Sequence, residues 1–270
     1  MSVFAPRSLS PLSNDQLLRA APSIFAETPW DGVSDRYSFV STAQIVERLR
    51  AEGMVPVQAR QSNTRLPGKK AFARHEVRFV DRSLLESGNQ IVIGGTYPLV
   101  ALTNSHDTGS AFSIDAGMFR LVCGNGMMVP NGIAQSVRVR HSGDMSDVIE
   151  GVFSVVEETQ ALPDLIREYS GITLSRDAQR AFATAALELR ESSLPLTPEQ
   201  VLTPRRMDDR GPDLWTVTNR IQENLVKGGL HSRTATGRRT STRAIQDITA
   251  DQKLNKALFV LAESLKSSLH

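Results

Sequence analysis

Two stretches of this chain concentrate cationic side chains with few matching acids. The first carries Arg60, Arg65, Lys69, Lys70, Arg74 and Arg78 against a single acid, Glu76. The second carries Lys227, Arg233, Arg238, Arg239 and Arg243, with no acid between Lys227 and Arg243. Guanidinium groups neutralise phosphates and stack on bases, and aromatic rings add sequence-tolerant stacking on single strands. Alternation over 71–80 predicts a strand with Phe72, Arg74, Glu76 and Arg78 on one face. Arg138 and Arg140 could extend that face from a later strand, Lys69 and Lys70 could overhang it, and Arg120 is a further candidate. Two readings stay open for the first stretch: a nucleic-acid surface on which Phe72 stacks, or a solvated, salt-bridged sheet edge with Phe72 in the core. The second stretch is either a basic arm that clamps an acidic partner or a soluble loop. Its length and purely basic character favour the arm.

Other chemistries find little support. Gly68-Lys69-Lys70 lacks the upstream glycine and the hydroxyl residue of a phosphate-binding loop, so no ATP site is expected. His75-Glu76 is not followed by a second histidine at zinc-protease spacing. The histidines are scattered and no cysteine pairs with them, so no metal and no other cofactor is expected. His106-Asp107 reads as part of a turn rather than a catalytic pair. Gly124-Asn125-Gly126 reads as a tight turn. Glu150, Glu157, Glu158 and Asp164 read as a solvated helix face. Cys123 is the one cysteine, and its apolar setting suits a buried structural thiol. The expectation is therefore a protein that is not an enzyme.

The elements that would position these residues are legible from periodicity. A helix capped by Ser41 or Thr42 and stopped by Gly53 buries Ile45, Val46 and Leu49. Strands follow over 54–60 and 71–80, joined by a polar loop carrying Arg65, Lys69 and Lys70. Further strands are expected over 90–93, 97–103, 110–114, 118–122 and 134–140. A long helix opens near Asp144, with Met145, Val148, Ile149, Val152, Phe153 and Val156 on its apolar face. It would cover one side of the sheet and leave the other for solvent or a ligand. Later helices are expected over 175–191, 213–226 and 251–265, a short one at 197–200 within a Pro-punctuated linker, and a loop over 228–242. The fold class is α+β: an antiparallel sheet with a β-hairpin, covered by a long helix and followed by a helical C-terminal region. The organisation expected is a flexible arm over 1–35, a core over 36–192, and a helical region with a basic loop over 193–270.

Composition sets the frame for these elements. The chain has 270 residues, 40% hydrophobic and 22% charged, with a formal net charge of +2. That is an ordinary globular composition with enough length for a real core. No apolar run approaches the roughly 20 residues needed to span a bilayer. The single cysteine fits a cytoplasmic location.

Several separated segments resemble one family. They are Thr103-Asn104-Ser105-His106-Asp107, the run from Gly117 to Gly126, Val137 to His141, Trp215 to Asn224, and Asn255 to Glu263. In this order they resemble the phage/plasmid-like family called domain of unknown function nine-three-two. The order of helix, hairpin, strands and long helix also resembles single-strand annealing proteins of the RecT and Red-beta type, a fold-level likeness. That resemblance implies an ATP-independent protein of phage or plasmid recombination. It would bind single-stranded DNA or an annealing duplex as a homo-oligomeric ring or filament. The alternative is a structural or counter-defence protein of a mobile element that acts through protein contacts. The DNA-binding set would be the basic residues named above, with Phe72 as the stacking residue.

Overall fold

The computed structural model describes residues 10–34, 37–86, 96–120, 125–128, 136–139, 150, 153–157, 159–190 and 194–269. The strand expected at 90–93, Cys123, Arg140 and most of the helix expected after Asp144 lie outside them, although 150 and 153–157 are helical. The chain divides into two compact units, Met1–Leu162 and Pro163–His270.

The first unit is α+β. Its sheet runs β1 (Met54–Gln61), β2 (His75–Asp81), β3 (Thr96–Asn104), β4 (Phe112–Arg120), β5 (Asn125–Met128), and β6 (Ser136–Val139) also pairs with β4. Every pairing is antiparallel. Helices α1 (Asn14–Ala20) and α2 (Thr42–Ala51) bury Leu17, Ile45, Val46 and Leu49. The side of the sheet bearing His75 meets these segments, since both ring nitrogens of His75 reach them, as described below. On the opposite side Val55, Val57, Val80, Tyr97, Leu99 and Ala101 form a cluster, covered by Leu84 and Leu85 of α3 (Arg82–Glu86). All nine residues of β3 are buried. The central strand therefore has no face left for solvent or ligand, contrary to the one-sided sheet expected.

Four local expectations are corrected. Residues 10–34 are not a flexible arm: Ser13 and Gln16 form a capping box on α1, and Leu17, Ala21 and Ile24 are fully buried. The strand expected from 71 begins only at His75, because Pro67–Phe72 forms a 3-10 helix. Proline at a helix start presets φ and lacks an N–H that would go unused there, which overrides the alternating pattern. The strands expected at 110–114 and 118–122 are one strand, β4, with Asp115, Ala116 and Gly117 paired to Ala101, Val100 and Leu99. Asp115 is tolerated in mid-strand because it shares a sheet face with Arg78, which also pairs with Ala101. Asn125 and Gly126 lie in β5, opposite Arg120 and Phe119, rather than in a tight turn.

The second unit is helical: α4 (Leu162–Gly171), α5 (Arg176–Glu188), α6 (Pro198–Leu202), α7 (Leu214–Lys227) and α8 (Ile248–Ser268). The hydroxyl of Ser175 and the carboxylates of Asp213 and Asp247 accept hydrogen bonds from the first-turn amides of α5, α7 and α8. Thr197 and Gln200 make a capping box on α6. The expected stripe Leu214, Val217, Ile221 and Leu225 is buried, together with Phe182, Leu254, Leu258 and Phe259. Trp215 is buried with it, and the rings of Tyr169 and Phe259 stack with centroids 5.6 Å apart. The loop expected over 228–242 contains a hairpin, β7 (His231–Arg233) and β8 (Arg239–Ser241).

The turn expected at His106 hides a buried histidine pair. His106 is fully buried with its ring 5.2 Å from that of His75. His75 Nδ1 lies 2.8 Å from Ser23 Oγ and Nε2 lies 2.8 Å from Thr42 Oγ1, so α2 and the segment after α1 are tied to β2 through one ring. Burial, with His106 adding to it, pushes the His75 pKa down to about 3. The native state thus holds His75 neutral, while the unfolded chain takes up a proton near its ordinary value. The stability this contributes is complete above about pH 6.5 and is lost as pH falls from there toward 3. Stability from urea unfolding measured across this window should fall as pH falls, by roughly 5 kcal/mol at most. His75→Gln should lower stability at neutral pH and flatten that dependence.

Candidate nucleic-acid interface

The first basic stretch is largely neutralised by its own neighbours. The register of β1 on β2 places Arg60 opposite Glu76, and Arg60 Nε donates to the Glu76 carboxylate. Arg78 donates to Gln58 Oε1 at 3.1 Å and lies 3.4 Å from Glu76 Oε2. Arg78 is only 4% exposed and Arg120 only 6%. Neither guanidinium is available to a phosphate, so the expectation that they bind DNA directly is corrected. Phe72 and Arg74 precede β2 and do not share a strand face with Arg78. Arg74 donates to the Gly109 carbonyl, and Phe72 is half-buried, its carbonyl accepting from the His106 N–H at 2.9 Å. Lys69 sits 3.8 Å from the centroid of the Trp30 ring and 4.0 Å from Asp107 Oδ2. Gly32 packs against the same ring, where a Cβ would fall 2.1 Å from a Trp30 carbon. Arg65 and Lys70 are exposed and make no ion pair among the described residues. Arg138 lies on β6 opposite Ser113. Arg140 is outside the described residues.

The second basic stretch is built differently. Arg233 and Arg239 are register partners across β7 and β8, and Arg238 and Arg243 flank β8. All four are exposed, as is His231. Like charges directly opposite one another on a hairpin repel, so an anion held between them is favoured. Arg233 donates to the Gly237 carbonyl at 3.0 Å. Thr234 accepts from the Gly237 N–H at 2.8 Å, and Gly237 closes the turn with φ +81°. Lys227 does not join this group, since its Nζ lies 2.8 Å from Glu223 Oε1.

The hairpin is fixed at its base by the end of α7. Gly228 N–H donates to Asn224 O at 3.1 Å, and Ile245 N–H donates to Val226 O at 2.8 Å. Arg190 donates to the carbonyls of Leu225 and Arg243, bridging the helix end to the strand exit. Burial lowers the Arg190 pKa from its ordinary value. Arg205 spans Asn224 Oδ1 and the Gly228 carbonyl. Along the hairpin, Gln200 donates to His231 O and Ser232 donates to Pro195 O. The arginines are thus presented on an anchored ribbon instead of a loose loop.

Comparison with known proteins places both units in one family. The family described as Domain of unknown function (DUF932) matches residues 29–259, a span that includes β1 to β8. This chain belongs to the DUF932 family. It is 40% identical over 262 residues to UPF0380 protein YafZ of Escherichia coli K12, covering 96% of this chain and 93% of that one. UPF0380 protein YfjQ of the same strain matches to the same identity and extent. Neither name describes an activity, and no solved structure matches. In this DUF932 chain no helix among the described residues is long and apolar enough to cross a membrane. Nor do the described residues group three or more His, Cys, Asp or Glu side chains that could hold a metal ion.

Two features escaped the sequence. Trp30, remote in sequence from Lys69, carried no periodic signal, and the loop reading of 228–242 hid the pairing of Arg233 with Arg239. The Gly-Gly pair at 228–229 followed by alternating residues was the available sign of a hairpin. Gly228 has φ +65° and ψ −147°, and a Cβ there would lie 2.6 Å from the Arg243 backbone. Gly228→Ala should therefore destabilise the second unit by about 2 kcal/mol or more. Gly237→Ala, whose Cβ would meet nothing within 4 Å, should cost roughly 1 kcal/mol from its φ alone. Chemical denaturation of the two variants beside the parent checks the order.

Proposed function

We propose that this protein binds single-stranded DNA through the β7–β8 hairpin and, as a homo-oligomer, anneals complementary strands without ATP. The observation that carries the binding is the anchored ribbon on which Arg233 faces Arg239, with Arg238 and Arg243 beside it and no acid from Lys227 to Arg243. A guanidinium pair held at fixed spacing suits the phosphates of a backbone, and it reads charge in preference to base identity. The first unit adds Arg65 and Lys70 at its surface; its other cations in the hairpin stretch serve the fold. Annealing rests on the resemblance of the sequence to RecT and Red-beta type proteins, a link that neither the family match nor the two relatives supports. In this scheme protomers align along the strand and leave its bases turned outward for pairing. The work is positional and electrostatic, with no bond made or broken.

The test is binding and annealing of oligonucleotides on one preparation across a salt series. Affinity should fall steeply with salt, because each neutralised phosphate releases counterions. Replacing Arg233, Arg238, Arg239 and Arg243 together by Gln should reduce the slope of log affinity on log salt by about 0.7 for each lost single-strand contact. The same variant should lose annealing. Electron microscopy with and without oligonucleotide should show assemblies on the strand. Parent protein that neither retards single-stranded DNA nor speeds annealing at low salt overturns the proposal. An unaltered salt slope in the variant removes the hairpin from it.

A further inference from the structure

We propose that a second anion site, for a phosphate monoester, lies in the first unit between the end of α1 and the β1–β2 connection. A pocket of ~320 Å³ opens there, with Arg19 and Lys70 among its walls and Ser62, Asn63 and Thr64 beside them. Among the described residues no carboxylate lines it. The floor is fixed by Gln61, whose Oε1 accepts from the Ser23 N–H at 2.9 Å and the Ser23 hydroxyl at 2.7 Å. The other end of that amide donates to the Lys70 carbonyl at 2.6 Å, so one side chain holds the lysine's backbone against the end of β1. Among the described residues Arg19 is committed only through Nε, which donates to the Asp15 carbonyl at 3.1 Å. Its terminal nitrogens and the Lys70 ammonium carry the charge of the site.

Ser62 supplies the second observation. Its N–H donates to the Arg74 carbonyl at 2.8 Å, yet its Oγ is hidden from solvent and has no hydrogen-bond partner among the described residues. Hidden hydroxyls are almost always paired, so the Ser62 hydroxyl, on a residue that lines the same pocket as Arg19 and Lys70, is available to donate to a bound acceptor. A change of rotamer on binding gives it that acceptor. Two cations and a hydroxyl match a dianion better than a carboxylate or a diester, each of which carries one negative charge; a phosphate monoester carries nearly two near neutral pH. The monoester has two sources: a free mononucleotide, or the 5′-phosphate that ends a DNA strand. The site stands whether or not the β7–β8 hairpin binds DNA.

The probes are deoxyadenosine monophosphate, deoxyadenosine, inorganic phosphate, and oligothymidylate with a 5′-phosphate or a 5′-hydroxyl. Calorimetry on the full chain should show the monophosphate binding and deoxyadenosine not binding. The Arg19→Gln/Lys70→Gln double variant should lose that binding, each charge-assisted contact being worth about ten-fold. Ser62→Ala should weaken it without lowering the melting temperature, since the hydroxyl makes no hydrogen bond to the described residues. A 5′-phosphate that tightens oligothymidylate binding about ten-fold assigns the site to strand ends. Monophosphate binding without that increment assigns it to free nucleotides. An Arg238→Gln/Arg239→Gln variant should weaken both oligonucleotides alike and leave their ratio intact, which separates this site from the hairpin. The site is overturned if neither the monophosphate nor inorganic phosphate binds and the two oligonucleotides bind equally. It is also overturned if binding survives in the Arg19/Lys70 variant.

Discussion

The second unit depends on a helix whose polar side chains are buried with its apolar ones. Every residue of α7 from Leu214 to Leu225 is buried. Such a helix must satisfy most of its polar groups against protein, and Arg220 and Asn224 of α7 do so on the backbone of the connection that wraps it. Arg220 donates to the carbonyls of Asp209 at 2.8 Å and Gly211 at 2.6 Å. Asn224 donates to the carbonyls of Val201 at 2.8 Å and Thr203 at 2.9 Å. Carbonyls in an irregular segment have no ladder to join, and unpaired burial is costly. The helix supplies their missing donors, so the wrapping segment and the helix specify one another. Glu223, held by Arg206 and Lys227, and Gln222, bonded to Asn255 of α8, complete the girdle. The hairpin inherits its position from the last turn of this helix.

The first unit uses charge in a related way. Glu76 lies between Arg60 and Arg78 on one sheet face, and Asp115 shares that face across Ala101. A carboxylate buried at this depth is stable only with cations beside it, and the arginines lose their solvation for the same arrangement. Truncating either partner leaves an uncompensated charge, so these arginines belong to the fold before they belong to any ligand.

What could be read from the sequence was what local chemistry decides. Ser41 caps its helix because an oxygen at that position meets an amide only three residues away, and the helices expected to open at 175, 197 and 213 begin there for similar local reasons. The α+β class and the stripe on α7 followed from periodicity. The basic stretches were legible as charge, but their availability was not, because it depends on partners set by strand register. Arg60 meets Glu76 sixteen positions away only once β1 and β2 are aligned. Arg233 faces Arg239 only once residues 228–242 are seen to pair. The alternation that suggested a strand from 71 was outweighed by Pro67, a single residue with a stronger local rule than the pattern around it.

The chain has two tryptophans, and they fall one to each unit. Trp215 lies buried in α7, whereas Trp30 is half-buried between Gly32 and the Lys69 ammonium. The two indoles therefore have unlike surroundings and should emit at unlike wavelengths. The Trp30 signal is coupled to the connection that carries Lys69 and Lys70, and the Trp215 signal to the core that carries the arginine ribbon. The protein thus contains a separate intrinsic optical reporter for the region around each of the two proposed anion sites.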